Sequence, residues 1–161
     1  MQVYLNYKDM LYNVSFRIVK SKQDAQDTVH DAFIKAFQHI DTLENNRTLG
    51  PWLKRIVINC SLDFLRKKKK LNWLQESVEL PEVEEEDTET FEETSLKVSA
   101  IKKAINSLKD KYRIIIVLYL IEDYSHREIA EQLGLKESTV RNQYIRGKRL
   151  LMEQLQNNVE V

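Results

Sequence analysis

The sequence predicts an all-α protein of two small helical domains joined by an acidic flexible linker, the second domain containing a helix-turn-helix. Three observations support this prediction. The 161-residue chain has three glycines and two prolines, too little turn chemistry for a sheet protein. Apolar residues recur at helical spacing along most of the chain. An acidic stretch separates two basic parts, so we place the domains at residues 1–70 and 96–161 and the linker at residues 71–95.

The charges are strongly segregated, although the formal net charge is zero. Residues 1–70 carry 13 basic and 7 acidic side chains, residues 71–96 carry 10 acidic and no basic ones, and residues 97–161 carry 12 basic and 8 acidic. Basic segments of this kind are typical of domains that face nucleic acid. The acidic segment is predicted to be an extended, mobile tether. Shielding of a basic DNA-binding face by this segment is the open alternative.

Several protein classes are not favoured by the sequence. The N-terminus lacks a basic flank followed by an apolar run, and the longest apolar stretch, residues 114–121, is too short to span a bilayer. We therefore predict a cytoplasmic protein without membrane insertion. The single Cys60 is predicted to be a small core residue. Asp27, His30 and Asp31 lack a second ligand-bearing segment, so no metal is predicted. Without a paired nucleophile and base or a phosphate loop, we expect no enzymatic activity and no cofactor.

Three helices are predicted before the linker, over about residues 5–19, 23–40 and 51–66. Ser21 marks the start of the second helix, and Pro51 occupies the favoured first position of the third. The core face of the second helix is predicted to comprise Val29, Ala32, Phe33, Ala36, Phe37 and Ile40. The core face of the third helix is predicted to comprise Leu53, Ile56, Val57, Cys60 and Phe64. Trp52 is interpreted as a core anchor, with a wedge that stacks on DNA bases as the alternative.

Residues 125–150 predict a helix-turn-helix, preceded by helices over about residues 101–108 and 112–119. Ser125 and Glu128 have the spacing of a capping box, and Gly134 suits the left-handed turn that follows the first helix. The second helix begins near Glu137 or Ser138. Its inward residues are predicted to be Val140, Tyr144 and Leu151.

The outward face of that second helix is rich in residues that read DNA. Its members are Arg141, Asn142, Ile145, Arg146 and Arg149. Arginine and asparagine pair with guanine and adenine edges in the major groove, so DNA is the first partner to test. A plain helical hairpin with a solvated basic face is the alternative interpretation.

Three segments, in this order, resemble the bacterial RNA polymerase sigma factors of the sigma-70 family, in the extracytoplasmic-function (ECF) subgroup. Residues 24–37 are similar to the helix that docks on the polymerase β′ clamp in that family. Residues 52–66 are similar to the helix that, with the loop before it, opens the minus-ten element. Residues 112–113 and 124–141 match the region that reads the minus-thirty-five element.

This resemblance implies a subunit that binds core RNA polymerase and directs promoter recognition and DNA melting, with a cognate anti-sigma factor as a further partner. The implied polymerase-binding residues are Asp24, Asp27, Asp31 and Lys35. The implied minus-ten contacts are Asn45, Asn46, Arg47, Lys54, Arg55, Asn59 and Arg66. The implied minus-thirty-five contacts are Ser138, Thr139, Arg141, Asn142, Ile145, Arg146, Lys148 and Arg149. Phosphate contacts are expected from Lys54, Arg55, Lys67, Lys68, Lys148 and Arg149.

An alternative function is a conventional helix-turn-helix regulator whose N-terminal helices dimerise or sense a ligand. It explains residues 125–150 but not the two earlier segments. The chain also departs from the family pattern, with Gln143 where arginine is common and Gly147 where alanine is usual. A glycine inside a helix costs about 1 kcal/mol. Gly147→Ala is therefore predicted to stabilise the protein unless the glycine allows a close backbone approach.

Overall fold

The structure is a computed structural model that describes residues 2–43, 48–68 and 95–159. The helices in these ranges are α1 (Gln2–Val19), α2 (Lys22–Gln38), α3 (Leu49–Lys67), α4 (Ser95–Ser107), α5 (Asp110–Ile116), α6 (His126–Leu133) and α7 (Glu137–Val159). A 3-10 turn, Ile40–Thr42, follows α2, and a π-helical turn, Val117–Ile121, follows α5. The described residues contain no strand, and the predicted all-α class is confirmed.

The chain divides into two compact units, Met1–Leu71 and Asn72–Val161. Residues 71–94 of the predicted linker lie outside the described residues, and Ser95 begins α4. None of the described helices is both long and apolar enough to cross a membrane.

The first unit is a bundle in which α1, α2 and α3 each contact the other two. Ser21 caps α2 as predicted, because its hydroxyl accepts a 3.3 Å hydrogen bond from the Asp24 backbone N–H. Fully burying one leucine or isoleucine contributes about 1.5–3 kcal/mol, so a few such residues hold the bundle together. Those with essentially no exposed surface are Leu11, Ile18, Val57, Ile58, Leu62 and Leu65.

The buried face of α2 is narrower than predicted. Phe37 is 51% exposed and Ile40 is 44% exposed, so their assignment to the core is wrong. Ile40 leaves the helical stripe because α2 ends at Gln38. Phe37 lies in the last turn of α2, one turn after the buried Phe33. The Phe33 ring takes the position nearer the core, and Tyr4 of α1 packs edge-on against it, with ring centroids 4.9 Å apart. The other four predicted core residues, Val29, Ala32, Phe33 and Ala36, are buried.

Helix α3 begins two residues earlier than predicted, which places Pro51 third in the helix rather than first. A proline is tolerated there because N–H groups in the first turn have no intrahelical partner. Ile56 and Phe64 are only half-buried, contrary to the predicted core face. The physical reason is that α3 packs against both α1 and α2. The buried part of its surface is therefore wider than one helical stripe and is turned away from Ile56 and Phe64. The buried residues of α3 are Leu53, Val57, Ile58, Cys60, Ser61, Leu62 and Leu65.

In the second unit, α7 contacts α4, α5 and α6. The apolar residues 114–118, at the end of α5 and the start of the π-helical turn, have no exposed surface. Arg113, just before them, is only 2% exposed, and its guanidinium pairs with the Asp110 carboxylate one turn earlier. Such a partner is required because desolvating an unpaired charge costs several kcal/mol.

The helix-turn-helix is formed by α6 and α7. Ser125 Oγ accepts from the Glu128 amide at 3.1 Å, and Glu128 Oε1 accepts from the Ser125 amide at 3.4 Å, which completes the predicted capping box. Gly134 has φ 68°, in the left-handed region that favours glycine. The Gly134 and Leu135 amides both donate to the Ala130 carbonyl, so the turn satisfies the end of α6.

An aromatic cluster joins three elements of this unit. The Tyr119 ring in the π-helical turn stacks on the His126 ring of α6, with centroids 4.4 Å apart and planes 5° apart. Tyr144 of α7 contacts both rings, with centroid distances of 4.5 Å to Tyr119 and 5.3 Å to His126. Tyr144 therefore faces inward as predicted, but it remains half-buried.

Helix α7 lies very close to α5 at Gly147. A Cβ atom added to this glycine would lie 2.8 Å from Ile116 Cδ1 and 3.1 Å from Tyr112 Cβ, both closer than ordinary van der Waals contact. Ile116 has no exposed surface and little room to move. Gly147 thus allows the close backbone approach that the sequence prediction named as its exception. The expected effect of Gly147→Ala on stability therefore changes from stabilising to destabilising.

We expect Gly147→Ala to lower the melting temperature of the second unit. Overpacking a core costs about 1–3 kcal/mol, whereas replacing glycine by alanine in a helix gains about 1 kcal/mol. The net effect should be a destabilisation of about 1 kcal/mol, measured by thermal melting followed by circular dichroism.

Gly50→Ala in α3 is the matched control, because a Cβ there meets Tyr7 Cε1 at an ordinary 3.4 Å. This control should leave the melting temperature unchanged or raise it. A melting temperature of Gly147→Ala above that of the wild type would contradict the close packing of α7 on α5.

Candidate nucleic-acid and protein interfaces

The outward face of α7 is a basic surface. Its orientation is fixed by the packing of the opposite, buried face of the same helix. Residues at i, i+3, i+7 and i+11 share one side of a helix, and Ser138, Arg141, Ile145 and Arg149 have this spacing. Ser138, Arg141 and Arg149 are exposed, and Ile145 is half-buried. Three further predicted contacts are half-buried, namely Thr139, Arg146 and Lys148. The opposite side is buried, and its members include Val140, Gly147 and Leu151.

Asn142 does not point into solvent as predicted, since it is only 7% exposed. Its helical position is on the outward side, so the periodicity alone suggested exposure. Residues three and four positions later are neighbours on a helix, and at these positions stand the longer side chains of Ile145 and Arg146. Both of these neighbours are themselves partly covered.

Glu137 is a charged residue of this surface that the predicted set omits. It is the first residue of α7, and its Oε1 lies 3.6 Å from Arg141 Nη2. Both side chains are about half exposed, at 51% and 46%. The i, i+4 spacing of an acidic and a basic residue is visible in the sequence and could have identified this ion pair.

The acidic face of α2 is only partly as predicted. Asp27 and Asp31 are exposed, but Asp24 is partly covered and lies 3.4 Å from the Lys68 ammonium. Lys68 Nζ also lies 4.5 Å from the centroid of the Phe64 ring. The Asp24 carboxylate and the Lys68 ammonium therefore already interact with each other. The sequence predicts polymerase binding by Asp24 and a phosphate contact by Lys68, but not this ion pair.

Two exposed apolar residues adjoin this acidic face. Ile34 is 46% exposed and lies three residues after Asp31 and three before the exposed Phe37. Because residues three apart are neighbours on a helix, Asp31, Ile34 and Phe37 form one continuous edge. Exposed large apolar side chains next to one another typically mark a protein interface. We call Asp27, Asp31, Ile34 and Phe37 the α2 edge.

Lys35 is the fourth polymerase-binding residue predicted on α2, and it is exposed. Its positive charge also affects the pKa of the Cys60 thiol. Burial raises the pKa of the Cys60 thiol above its ordinary value, and the negative charges of Asp63 and Asp31 add to this rise, while the positive charge of Lys35 opposes it. Cys60 is buried as predicted.

Helix α3 carries the described part of the predicted minus-ten contacts. Arg55, Asn59 and Arg66 are exposed, and Lys54 is half-buried. Arg66 Nη1 pairs with Asp63 Oδ1 at 2.8 Å. Trp52 is half-buried rather than a fully buried anchor. The loop residues Asn45, Asn46 and Arg47 lie outside the described residues.

Comparison with known proteins matches both units to one group. Residues 3–71 match the family described as Sigma-70 region 2, and residues 99–151 match the family described as Sigma-70, region 4. The chain is 34% identical to the ECF RNA polymerase sigma factor SigW of Bacillus subtilis, over 94% of this chain and 86% of SigW. It is 32% identical to the RNA polymerase sigma factor SigV of the same organism, over 93% of this chain and 87% of SigV.

A solved structure has a similar fold. It is the sigma factor RpoE in complex with the anti-sigma factor NepR from Bartonella quintana. The TM-score is 0.59, the sequence identity is 24%, and the similarity covers 96% of this chain and 95% of RpoE.

Proposed function

We propose a separate role for each of the two units of this chain. The chain belongs to the ECF subgroup of the sigma-70 family and directs transcription initiation. The first unit binds core RNA polymerase and the minus-ten element, and the second unit binds the minus-thirty-five element. The observation that carries this proposal is that the two family regions match the two compact units, in the family's order.

The α2 edge is the proposed docking surface for the polymerase β′ clamp. Its two carboxylates, on Asp27 and Asp31, can meet basic side chains, which favours association at a distance. Its apolar residues, Ile34 and Phe37, can be buried in the contact and contribute affinity. Lys35 lies on the same helix, and Asp24 contributes less because Lys68 already pairs with it.

The face of α3 that carries Arg55, Asn59 and Arg66 is the proposed contact with the minus-ten element, together with Asn45, Asn46, Arg47 and Lys54. Holding bases outside the duplex stack requires polar groups beside apolar or aromatic walls. The half-buried Trp52 and Ile56 on the same helix are candidates for such walls.

The outward face of α7 is the proposed reader of the minus-thirty-five element. In a helix-turn-helix the second helix enters the major groove and places its outward side chains against base edges. Arg141, Arg146 and Asn142 are the proposed base contacts, with Lys148 and Arg149 on phosphates. Asn142 requires a side-chain rotation to reach a base, because it is nearly buried.

The remaining expectations follow from this function. Bond formation belongs to the polymerase, so the chain itself supplies no covalent chemistry. Its partners, core polymerase and promoter DNA, place it in the cytoplasm. We also propose a cognate anti-sigma factor, because RpoE, whose fold is similar, is bound by the anti-sigma factor NepR.

We predict that Asp27→Lys combined with Asp31→Lys weakens binding to core polymerase. Both side chains are exposed, so helix content and melting temperature should stay nearly unchanged. The reversed charges should slow association and abolish transcription from a cognate promoter. Co-elution of the purified chain with purified core polymerase, at physiological salt, measures the effect.

Asp9→Lys combined with Glu153→Lys is the matched control, because it makes the same change of net charge at exposed positions outside α2. The control variant should co-elute with core polymerase like the wild type. Unaltered core binding by the α2 variant, with its fold intact, would show that the docking surface lies elsewhere.

We predict that Arg146→Ala reduces discrimination among minus-thirty-five sequences. An arginine that contacts base edges contributes about 1–3 kcal/mol of discrimination against the wrong base. Binding of polymerase carrying the variant to matched and scrambled minus-thirty-five duplexes measures this difference. Equal losses of affinity on both duplexes would identify Arg146 as a phosphate contact instead.

A further inference from the structure

Glu137 and Arg141 form an ion pair on the side of the helix-turn-helix that is proposed to face DNA. They occupy the first and fifth positions of α7, with Glu137 Oε1 and Arg141 Nη2 3.6 Å apart. Both side chains are about half exposed, so neither is fixed by burial. The N-terminal residues of a recognition helix are those that approach base edges most closely. The pair therefore lies where sequence is read.

If Arg141 turns from Glu137 to a base when DNA is bound, the Glu137 carboxylate needs another hydrogen-bond donor. The phosphate groups repel it, and burying it without a partner is costly. The base edges in the major groove offer only two such donors, the amino groups of cytosine and adenine. The arginine beside it needs acceptors, and the best match is O6 and N7 of guanine. A single G·C pair presents both the acceptors and the amino donor.

We propose that Glu137 is a specificity-determining residue, which accepts a hydrogen bond from a cytosine amino group while Arg141 donates to guanine. The two bases belong to the same or adjacent base pairs of the minus-thirty-five element. The inference rests on the proposed function of α7 and adds one base preference to it. The ion pair holds the two side chains together before DNA binds and orients both toward neighbouring base edges.

If Glu137 only stabilised the helix, its replacement would have a different effect. An acidic residue in the first turn stabilises a helix through the macrodipole, and an exposed i, i+4 ion pair adds a small further stabilisation. These effects would change the melting temperature but not the preferred base. The chain provides a control, because Arg127 Nε and Glu131 Oε1 on α6 form a second i, i+4 pair at the same 3.6 Å distance.

The experiment selects promoters from a pool randomised across the minus-thirty-five element. The selecting species is core polymerase carrying the full chain, either wild type, Glu137→Gln, Glu137→Ala or Glu131→Gln. We expect the wild type to enrich cytosine at one position, and Glu137→Ala to weaken that preference by roughly tenfold. Glu137→Gln should shift the same position towards adenine, because glutamine pairs with adenine. Glu131→Gln should select the same sequences as the wild type.

The outcomes separate this inference from the proposed function. If the wild type enriches a defined sequence and Glu137→Gln enriches the same one, the inference is wrong and the proposed function stands. The inference also fails if Glu137→Ala raises binding to all sequences equally, since that identifies simple charge repulsion. If the wild type enriches no minus-thirty-five sequence, the proposed function of α7 and this inference fail together.

Discussion

The second unit depends on the close packing of α7 against α5. At Gly147 the helix backbone lies so near Ile116 and Tyr112 that a single added carbon would overlap them. This contact fixes the rotation of α7 about its own axis. Because side chains at fixed spacing share one side of a helix, seating Gly147 and Leu151 inward directs Arg141 and Arg149 outward. The basic surface is thus set by a packing constraint in the core rather than by the charges themselves.

The first unit illustrates the opposite case, in which residues excluded from the core create a surface. The three-helix bundle buries mainly small side chains of α2, such as Ala25, Ala32 and Ala36. Larger side chains near the end of that helix, Ile34 and Phe37, are left half exposed beside two carboxylates. Apolar surface in that position is unfavourable for an isolated chain but useful to a subunit that is stable when bound.

Features set by neighbouring residues were predictable from the sequence. The capping box at Ser125 and the left-handed turn at Gly134 follow from local hydrogen bonding and backbone sterics, and the structure confirms both. Predictions that depend on other helices were less reliable. The exposure of Phe37 depends on where α2 ends and on Phe33, and the role of Gly147 depends on α5. Periodicity identifies the side of a helix but not what packs against it.

Promoter opening is the measurement that bears on the function of this chain as a sigma factor. A sigma factor brings core polymerase to promoter DNA through its two units and separates the DNA strands. Reactivity of thymines to permanganate reports unpaired bases on a promoter fragment, measured with the chain alone, core polymerase alone and both together. We expect reactive thymines at the minus-ten element only when the chain and core polymerase are both present. Tight binding of the chain alone to a palindromic duplex, with no opening when polymerase is added, would instead identify a conventional helix-turn-helix regulator.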